Sequence, residues 1–128
     1  DYHLHLDNPP HSNGCDLPDN GIRLSVCYYI NPHWNPEEGY NGGGIDVYLT
    51  DPHETPSFDA ANKSVKKRRI APHADTLVAF LSQRMLHSII PTKGTTDRWF
   101  ALWVWCYEEQ AMRDFDLFAE EMMGEGRG

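Results

Sequence analysis

His5 and Asp7 stand two residues apart near the start of the chain, and His87 lies far downstream with Arg98 shortly after it. On a β-strand, residues two apart point to the same face. His5 and Asp7 then aim together and Leu6 aims away. A second strand alongside lets His87 complete a triangle of two imidazoles and one carboxylate. That set is the 2-His-1-carboxylate facial triad, which holds Fe(II) and leaves positions open for a substrate acid and for O2. It demands a sheet in which strands distant in sequence become neighbours. An H-x-D triplet alone fits an ordinary surface pair. The conjunction with a distal His, a following Arg and β-type flanks is what points to metal. Arg98 can grip a carboxylate through a two-pronged, charge-assisted contact.

The rest of the chain supplies such strands. Tyr2 to Asp7 alternates and predicts a strand, followed by a Pro-, Gly- and Asn-rich loop from Asn8 to Gly21. Ile22 to Ile30 is β-branched and aromatic with no breaker, the clearest strand in the sequence. Asn31 to Gly43 is a second loop and Gly44 to Thr50 another strand. Asp51 to Ser64, with Pro52 and Pro56, reads as an exposed insertion. Val65 to Ala71 suits a strand, Pro72 to Asp75 a turn, Thr76 to Ser82 an apolar run, and Met85 to Ile90 a short strand carrying His87. After the loop Pro91 to Asp97, Arg98 to Tyr107 alternates two faces. One carries Trp99, Ala101, Trp103 and Trp105; the other carries Arg98, Phe100, Leu102 and Val104. Glu108 to Met123 is acidic at its start and helical in its apolar spacing. Many short strands with one terminal helix predict an antiparallel β-sandwich or barrel.

Charge and cysteines narrow the class. A net charge of -8 speaks against nucleic-acid binding, which draws most of its affinity from a basic surface. The basic run Lys63 to Arg69 stands against that background and reads as a solvated loop and strand edge, or as an anionic-partner or nuclear-targeting patch. Cys15, Cys27 and Cys106 form no C-x-x-C pair, so reduced thiols in the cytosol or nucleus fit better than a disulfide or zinc framework. No apolar run approaches the ~20 residues of a membrane span. The chain opens at Asp1 with the H-x-D motif almost at once, and so reads as the C-terminal, catalytic part of a longer protein.

Four stretches carry a family resemblance: YHLHLDNP at Tyr2 to Pro9, RLSVCYYIN at Arg23 to Asn31, GGGIDVY at Gly42 to Tyr48, and IAPHADTLVAFLSQRMLHSIIP at Ile70 to Pro91, with RWFALWVW from Arg98 completing it. The chain resembles the Fe(II)/2-oxoglutarate-dependent dioxygenases, in their prolyl 4-hydroxylase branch, and most the Egl-nine-type hypoxia-factor prolyl hydroxylases. The resemblance implies a double-stranded β-helix (jelly-roll) core over residues 1–128, with a C-terminal helix and without its N-terminal strand and helices. It implies that His5, Asp7 and His87 ligate iron, that Arg98 binds the distal carboxylate of 2-oxoglutarate, and that Tyr29 contacts the same carboxylate. Collagen-type enzymes carry Lys at the Arg98 position. Asp46 falls where the hypoxia-type enzymes often have a basic residue. The implied reaction hydroxylates an unactivated C–H, a prolyl residue of a protein or peptide, using O2 and splitting 2-oxoglutarate to succinate and CO2. L-ascorbate is the implied reductant for the iron, and no nucleic acid or membrane is implied as a partner.

Other readings stay open beside it. Tyr29 also suits plain core. Arg23 suits a salt bridge as well as a site wall, Arg84 a substrate contact, and the Trp face packing rather than a binding platform. The same chemistry on a small molecule or another side chain, or a cupin-like binding module without catalysis, are the competing functions.

Overall fold

The computed structural model describes residues 3–9, 18–32, 34, 42–63, 66–92 and 100–125. Among them, six strands form two antiparallel three-stranded sheets. The first has the order β4-β1-β6, from Thr76–Leu81, Ile22–Tyr29 and Ala101–Tyr107; the second is β3-β2-β5, from Lys67–Ile70, Ile45–Tyr48 and Leu86–Ile89. Two helices complete the set, the short α1 at Phe58–Lys63 and the longer α2 at Glu109–Glu125.

Period-two alternation decides the faces. On β1, Ser25, Cys27 and Tyr29 are buried, whereas Leu24, Val26 and Tyr28 are only half-buried. Cys27 and Tyr29 meet Ile45 and Val47 of β2 and Phe80 of β4, with Ile70, Val78, Met85, Ile89, Ala101 and Trp103 packed around them. This core fills the space between the two inner faces, and each large side chain fully buried there contributes about 1.5–3 kcal/mol. Gly44 permits the close approach that starts β2: its φ is 86°, and a Cβ would sit 2.2 Å from the Ile70 carbonyl oxygen. The outer face of the first sheet is apolar and open, with Leu77, Leu81, Leu102 and Val104 exposed. Among the described residues, strand β6 ends that sheet.

The structure departs from the sequence reading at two places. Tyr2 to Asp7 does not form a strand among the described residues. His5 alone pairs with His87 as an isolated bridge, N–H to carbonyl in both directions at 3.0 Å. Beyond it the chain turns, and the Asn8 N–H donates instead to the Ser82 carbonyl. The Asp51 to Ser64 insertion contains α1, with the Ser57 carbonyl accepting from the Ala61 N–H at 2.9 Å. Ala61 is buried against Leu6 and Leu86, a second small core on the outer face of the second sheet. Helix α2 begins one residue later than expected and runs two further; the Glu108 carboxylate accepts from the N–H groups of Gln110 and Ala111 and so caps it.

On that outer face lies a buried acid. Asp46 is 5% exposed and takes two hydrogen bonds from the Arg69 guanidinium, at 2.8 and 2.7 Å, with the Lys67 ammonium 3.4 Å away. Burial alone would push its carboxyl up, but Arg69 and Lys67 hold it below the ordinary 3.8. A depressed folded value means that the unfolded chain binds the proton more readily. The stabilisation is therefore complete above the ordinary carboxylate range and is lost as pH falls through the folded value. Asp46→Asn is expected to cost roughly 1–2 kcal/mol near neutrality, reduced from the usual charged hydrogen-bond range because Arg69 is half-exposed. Melting temperatures recorded against pH check this: the variant's deficit should shrink on the acid side, and a deficit that does not change with pH would contradict it.

Candidate metal centre

The tertiary fold brings His5, Asp7 and His87 together, with one ligand-type atom from each lying within 4.8 Å of the others. His87 sits on β5 with its side chain facing inward, and the His5 bridge docks the N-terminal segment directly against it. The Asp7 Oδ1 lies 3.4 Å from His5 Nε2 and 3.7 Å from His87 Nε2.

The two rings are oriented by their other nitrogens. His5 Nδ1 lies 2.7 Å from the His3 carbonyl oxygen, and His87 Nδ1 lies 3.0 Å from that of Met85. A carbonyl can only accept, so each Nδ1 carries the proton and donates. Each Nε2 is left with a lone pair aimed at the space beside Asp7. Burial holds the His87 imidazole below its ordinary range, against the pull of the Met85 carbonyl and the Asp7 carboxylate. The ring is therefore neutral at neutral pH, as a ligand must be. Two tethered imidazoles and a carboxylate form a donor set that fits a divalent transition ion.

The far side of the carboxylate is also held. Asp7 Oδ2 accepts from Ser25 Oγ at 2.5 Å and from the Trp105 indole N–H at 3.2 Å. Ser25 Oγ lies 2.8 Å from Ser82 Oγ, and both serines are fully buried. This leaves Oδ1 facing the two imidazoles. Asn20 donates to the Asp7 carbonyl and fixes the backbone at 2.8 Å. Metal ligands held this way typically lose about 10–100-fold in metal affinity when an outer partner is removed. Ser25→Ala is expected to lose about tenfold in Co(II) affinity, measured by competition with a chelating dye. Unchanged affinity would show that Ser25 merely packs.

Aromatic rings wall the centre. Phe80 and His5 lie 4.8 and 4.3 Å from His87, centroid to centroid, and Trp103 stacks on His87 at 6.0 Å. Trp105 stacks in turn on Trp103. The site-facing side of β6 is thus the one carrying Ala101, Trp103 and Trp105. Phe100 and Leu102 are 59% and 58% exposed on the other side. Trp103 packs against the central core, in line with the packing reading of the Trp face. The expectation that the Phe100 and Leu102 face, shared with Arg98 by alternation, looks into the site is not met for Phe100 and Leu102, because the inward side of β6 is taken by the Trp rings. Sequence reasoning missed Ser25, Ser82 and Trp105. A polar residue in the buried phase of β1, between Arg23 and Cys27, was the available signal for Ser25.

Tyr29 is fully buried in the central core, on the face of β1 that carries Ser25. Burial, with Cys27 next to it, raises its hydroxyl far above the usual range, so it stays protonated. Arg98 lies outside the described residues. Phe100, two residues on, is gripped by the Asn31 side chain, which accepts from the Phe100 N–H at 2.6 Å and donates to its carbonyl at 3.0 Å. Arg23 pairs with Asp19 and Glu108, and Arg84 donates to the Asp51 carbonyl.

Comparison with known proteins agrees with this geometry. The sequence model of the 2OG-Fe(II) oxygenase superfamily matches residues 1–107. A prolyl hydroxylase from Trichoplax adhaerens, solved in complex with a peptide fragment of the hypoxia-inducible-factor oxygen degradation domain, is similar in structure. Its TM-score is 0.58 at 25% identity, over 86% of this chain and 39% of that one. A prolyl-4-hydroxylase from Pseudomonas putida matches with a TM-score of 0.54 at 23% identity, over 84% of this chain and 45% of that one. The chain thus spans less than half the length of either. No curated protein matches the chain.

Proposed function

The chain belongs to the 2OG-Fe(II) oxygenase superfamily, and on that premise we propose that it hydroxylates a prolyl residue of a protein or peptide. The observation that carries the reading is the convergence of His5, Asp7 and His87 with both Nδ1 atoms tied to backbone carbonyls. In this reading those three residues hold Fe(II). Arg98 clamps the distal carboxylate of 2-oxoglutarate, and the protonated Tyr29 hydroxyl donates to it. When bound, iron and 2-oxoglutarate supply the oxidising chemistry by which one oxygen atom of O2 enters a C–H bond and the other enters succinate, with release of CO2. The protein orients the groups and lines one side of the centre with apolar side chains. Ser25 and Trp105 hold the carboxylate of Asp7, and Phe80, Trp103 and the Cys27–Tyr29–Val47 core form a dry wall. Ascorbate serves as the reductant that maintains the iron. A cytoplasmic or nuclear setting belongs to the same reading, consistent with Cys27 and Cys106 as free thiols. The prolyl substrate is supported by likeness to two prolyl hydroxylases, one of them bound to a peptide.

The test is incubation of the intact protein with Fe(II), 2-oxoglutarate, ascorbate, O2 and a library of proline-containing peptides. Succinate should form together with peptides heavier by one oxygen atom on proline. Succinate coupled to oxidation of another side chain or of a small molecule would refute the prolyl substrate and keep the chemistry. Absence of both metal binding and turnover would refute the chemistry.

A further inference from the structure

The basic run that the metal centre does not use resolves into two unlike faces. Strand β3 is the edge of its sheet and pairs with β2 in the register Arg69 opposite Asp46, Arg68 opposite Val47 and Lys67 opposite Tyr48. Residues directly opposite in an antiparallel pair share a face. Lys67 and Arg69 therefore lie on the outer face, where both pair with Asp46. Arg68 lies on the inner face. Val47 is in turn opposite His87 on β5, so Arg68, Val47 and His87 form one row across the sheet. Ile70, two residues along the same face of β3, packs into the central core.

The partners of the cations single out the same residue. Lys66 pairs with Asp51, Arg23 with Asp19 and Glu108, Arg113 with Glu109, and Arg84 donates to a backbone carbonyl. Among the described residues, Arg68 is the cation whose side chain has no such partner, and it is exposed. The chain holds 19 acidic side chains against 11 basic ones. An unpaired guanidinium on the sheet face shared with His87 is therefore the local exception. An Arg left in water is common by itself; its place in the His87 row is what gives it a use.

We propose that Arg68 is a specificity-determining residue that binds an acidic side chain of the peptide substrate, flanking the residue presented at the His5–Asp7–His87 centre. The proposal rests on the peptide-hydroxylase reading and names its substrate class. Two strand spacings separate Arg68 from His87, roughly 10 Å between their backbones. An extended peptide advances about 3.3 Å per residue, so an Asp or Glu about three residues from the target falls level with Arg68. The guanidinium offers a planar fork to that carboxylate. Because Lys66 is already paired with Asp51, and Lys67 and Arg69 share Asp46, Arg68 offers the one unpaired fork among them, which suits a single carboxylate rather than an extended polyanion.

The experiment uses fluorescent peptides with one proline and either Glu, Gln or Lys three residues to one side or the other. Binding to the intact protein is read by anisotropy, and hydroxylation of proline by mass. The Glu peptide should bind about fivefold tighter than the Gln peptide, near the upper limit for an exposed ion pair. Arg68→Gln should erase that preference and Arg68→Glu should transfer it to the Lys peptide. Arg113→Gln, which removes the same charge from α2, should leave it in place. An acid preference that survives in Arg68→Gln overturns the proposal, as does Arg68-dependent binding of heparin that is tighter than that of the Glu peptide. Hydroxylation without any charge preference overturns it while the prolyl reading stands. Charge-selective, Arg68-dependent binding without hydroxylation supports the docking surface and refutes the prolyl reading. Neither binding nor hydroxylation refutes both.

Discussion

Asp7→Ala is expected to abolish tight metal binding and, with it, the proposed hydroxylation. Asp7 supplies the single carboxylate of the three-residue set, and its Oδ1 faces both imidazole Nε2 atoms. Without it, two neutral imidazoles remain, with no anionic charge to offset that of a divalent ion. The loss in Co(II) or Fe(II) affinity should exceed the roughly 10–100-fold that removal of an outer partner costs. It should therefore exceed the loss in Ser25→Ala. The metal-free protein should suffer much less. Asp7→Ala strands the Trp105 indole N–H and one Ser25 bond, and Ser25 keeps Ser82, so about 1 kcal/mol of stability is at stake. Metal titration alongside thermal melting separates these effects. A variant that binds Co(II) as tightly as the parent would remove Asp7 from the centre, whatever happened to its activity.

Under the proposed clamp, Arg98→Ala is expected to weaken 2-oxoglutarate binding by roughly 30-fold or more, from the roughly 2–5 kcal/mol that truncating one partner of a hydrogen-bonded charge pair costs. Metal affinity should hold. Arg98→Lys should recover part of the loss, since a point charge replaces a two-pronged fork. The comparison to make is the 2-oxoglutarate dissociation constant of the Co(II)-loaded protein against that for succinate. A parent-like value in Arg98→Ala would assign the distal carboxylate to another group, and Tyr29→Phe would then be the next variant to measure.

In three of the expected strands local pattern and burial agree, whereas the expected strand at Lys67–Ile70 formed although it is almost wholly exposed. Ile22–Tyr29, Ile45–Tyr48 and Leu86–Ile89 each lie inside the segments that alternation and breakers delimit. Helix α2 was legible because its half-buried positions, Ala111, Phe115, Phe118 and Ala119, repeat at helical spacing. Helix α1 was not, because among its described side chains only one small residue, Ala61, is deeply buried. The Tyr2 to Asp7 segment alternates like a strand, but a strand also needs a partner along its length, and His87 is the only partner on offer among the described residues.

The sequence by itself determined the donor chemistry. His5 and Asp7 were readable as a pair because two-residue spacing on a strand sets them on one face, and His87 was readable through the family pattern that follows it with Arg98. Only the tertiary structure decided what surrounds them. Which face of β6 looks inward depends on how two sheets meet, and that set Trp103 and Trp105 beside the centre rather than Phe100 and Leu102. The pairing of Ser25 with Asp7 joins residues on different segments. The freedom of Arg68 is likewise a product of register: Asp46 and Asp51 pair with its neighbours, and a one-residue slip would exchange which cations are paired and which one shares the face of His87. Local pattern constrains one chain segment at a time, whereas contacts between sheets depend on long-range packing, where each choice of face is settled by the burial of all the others.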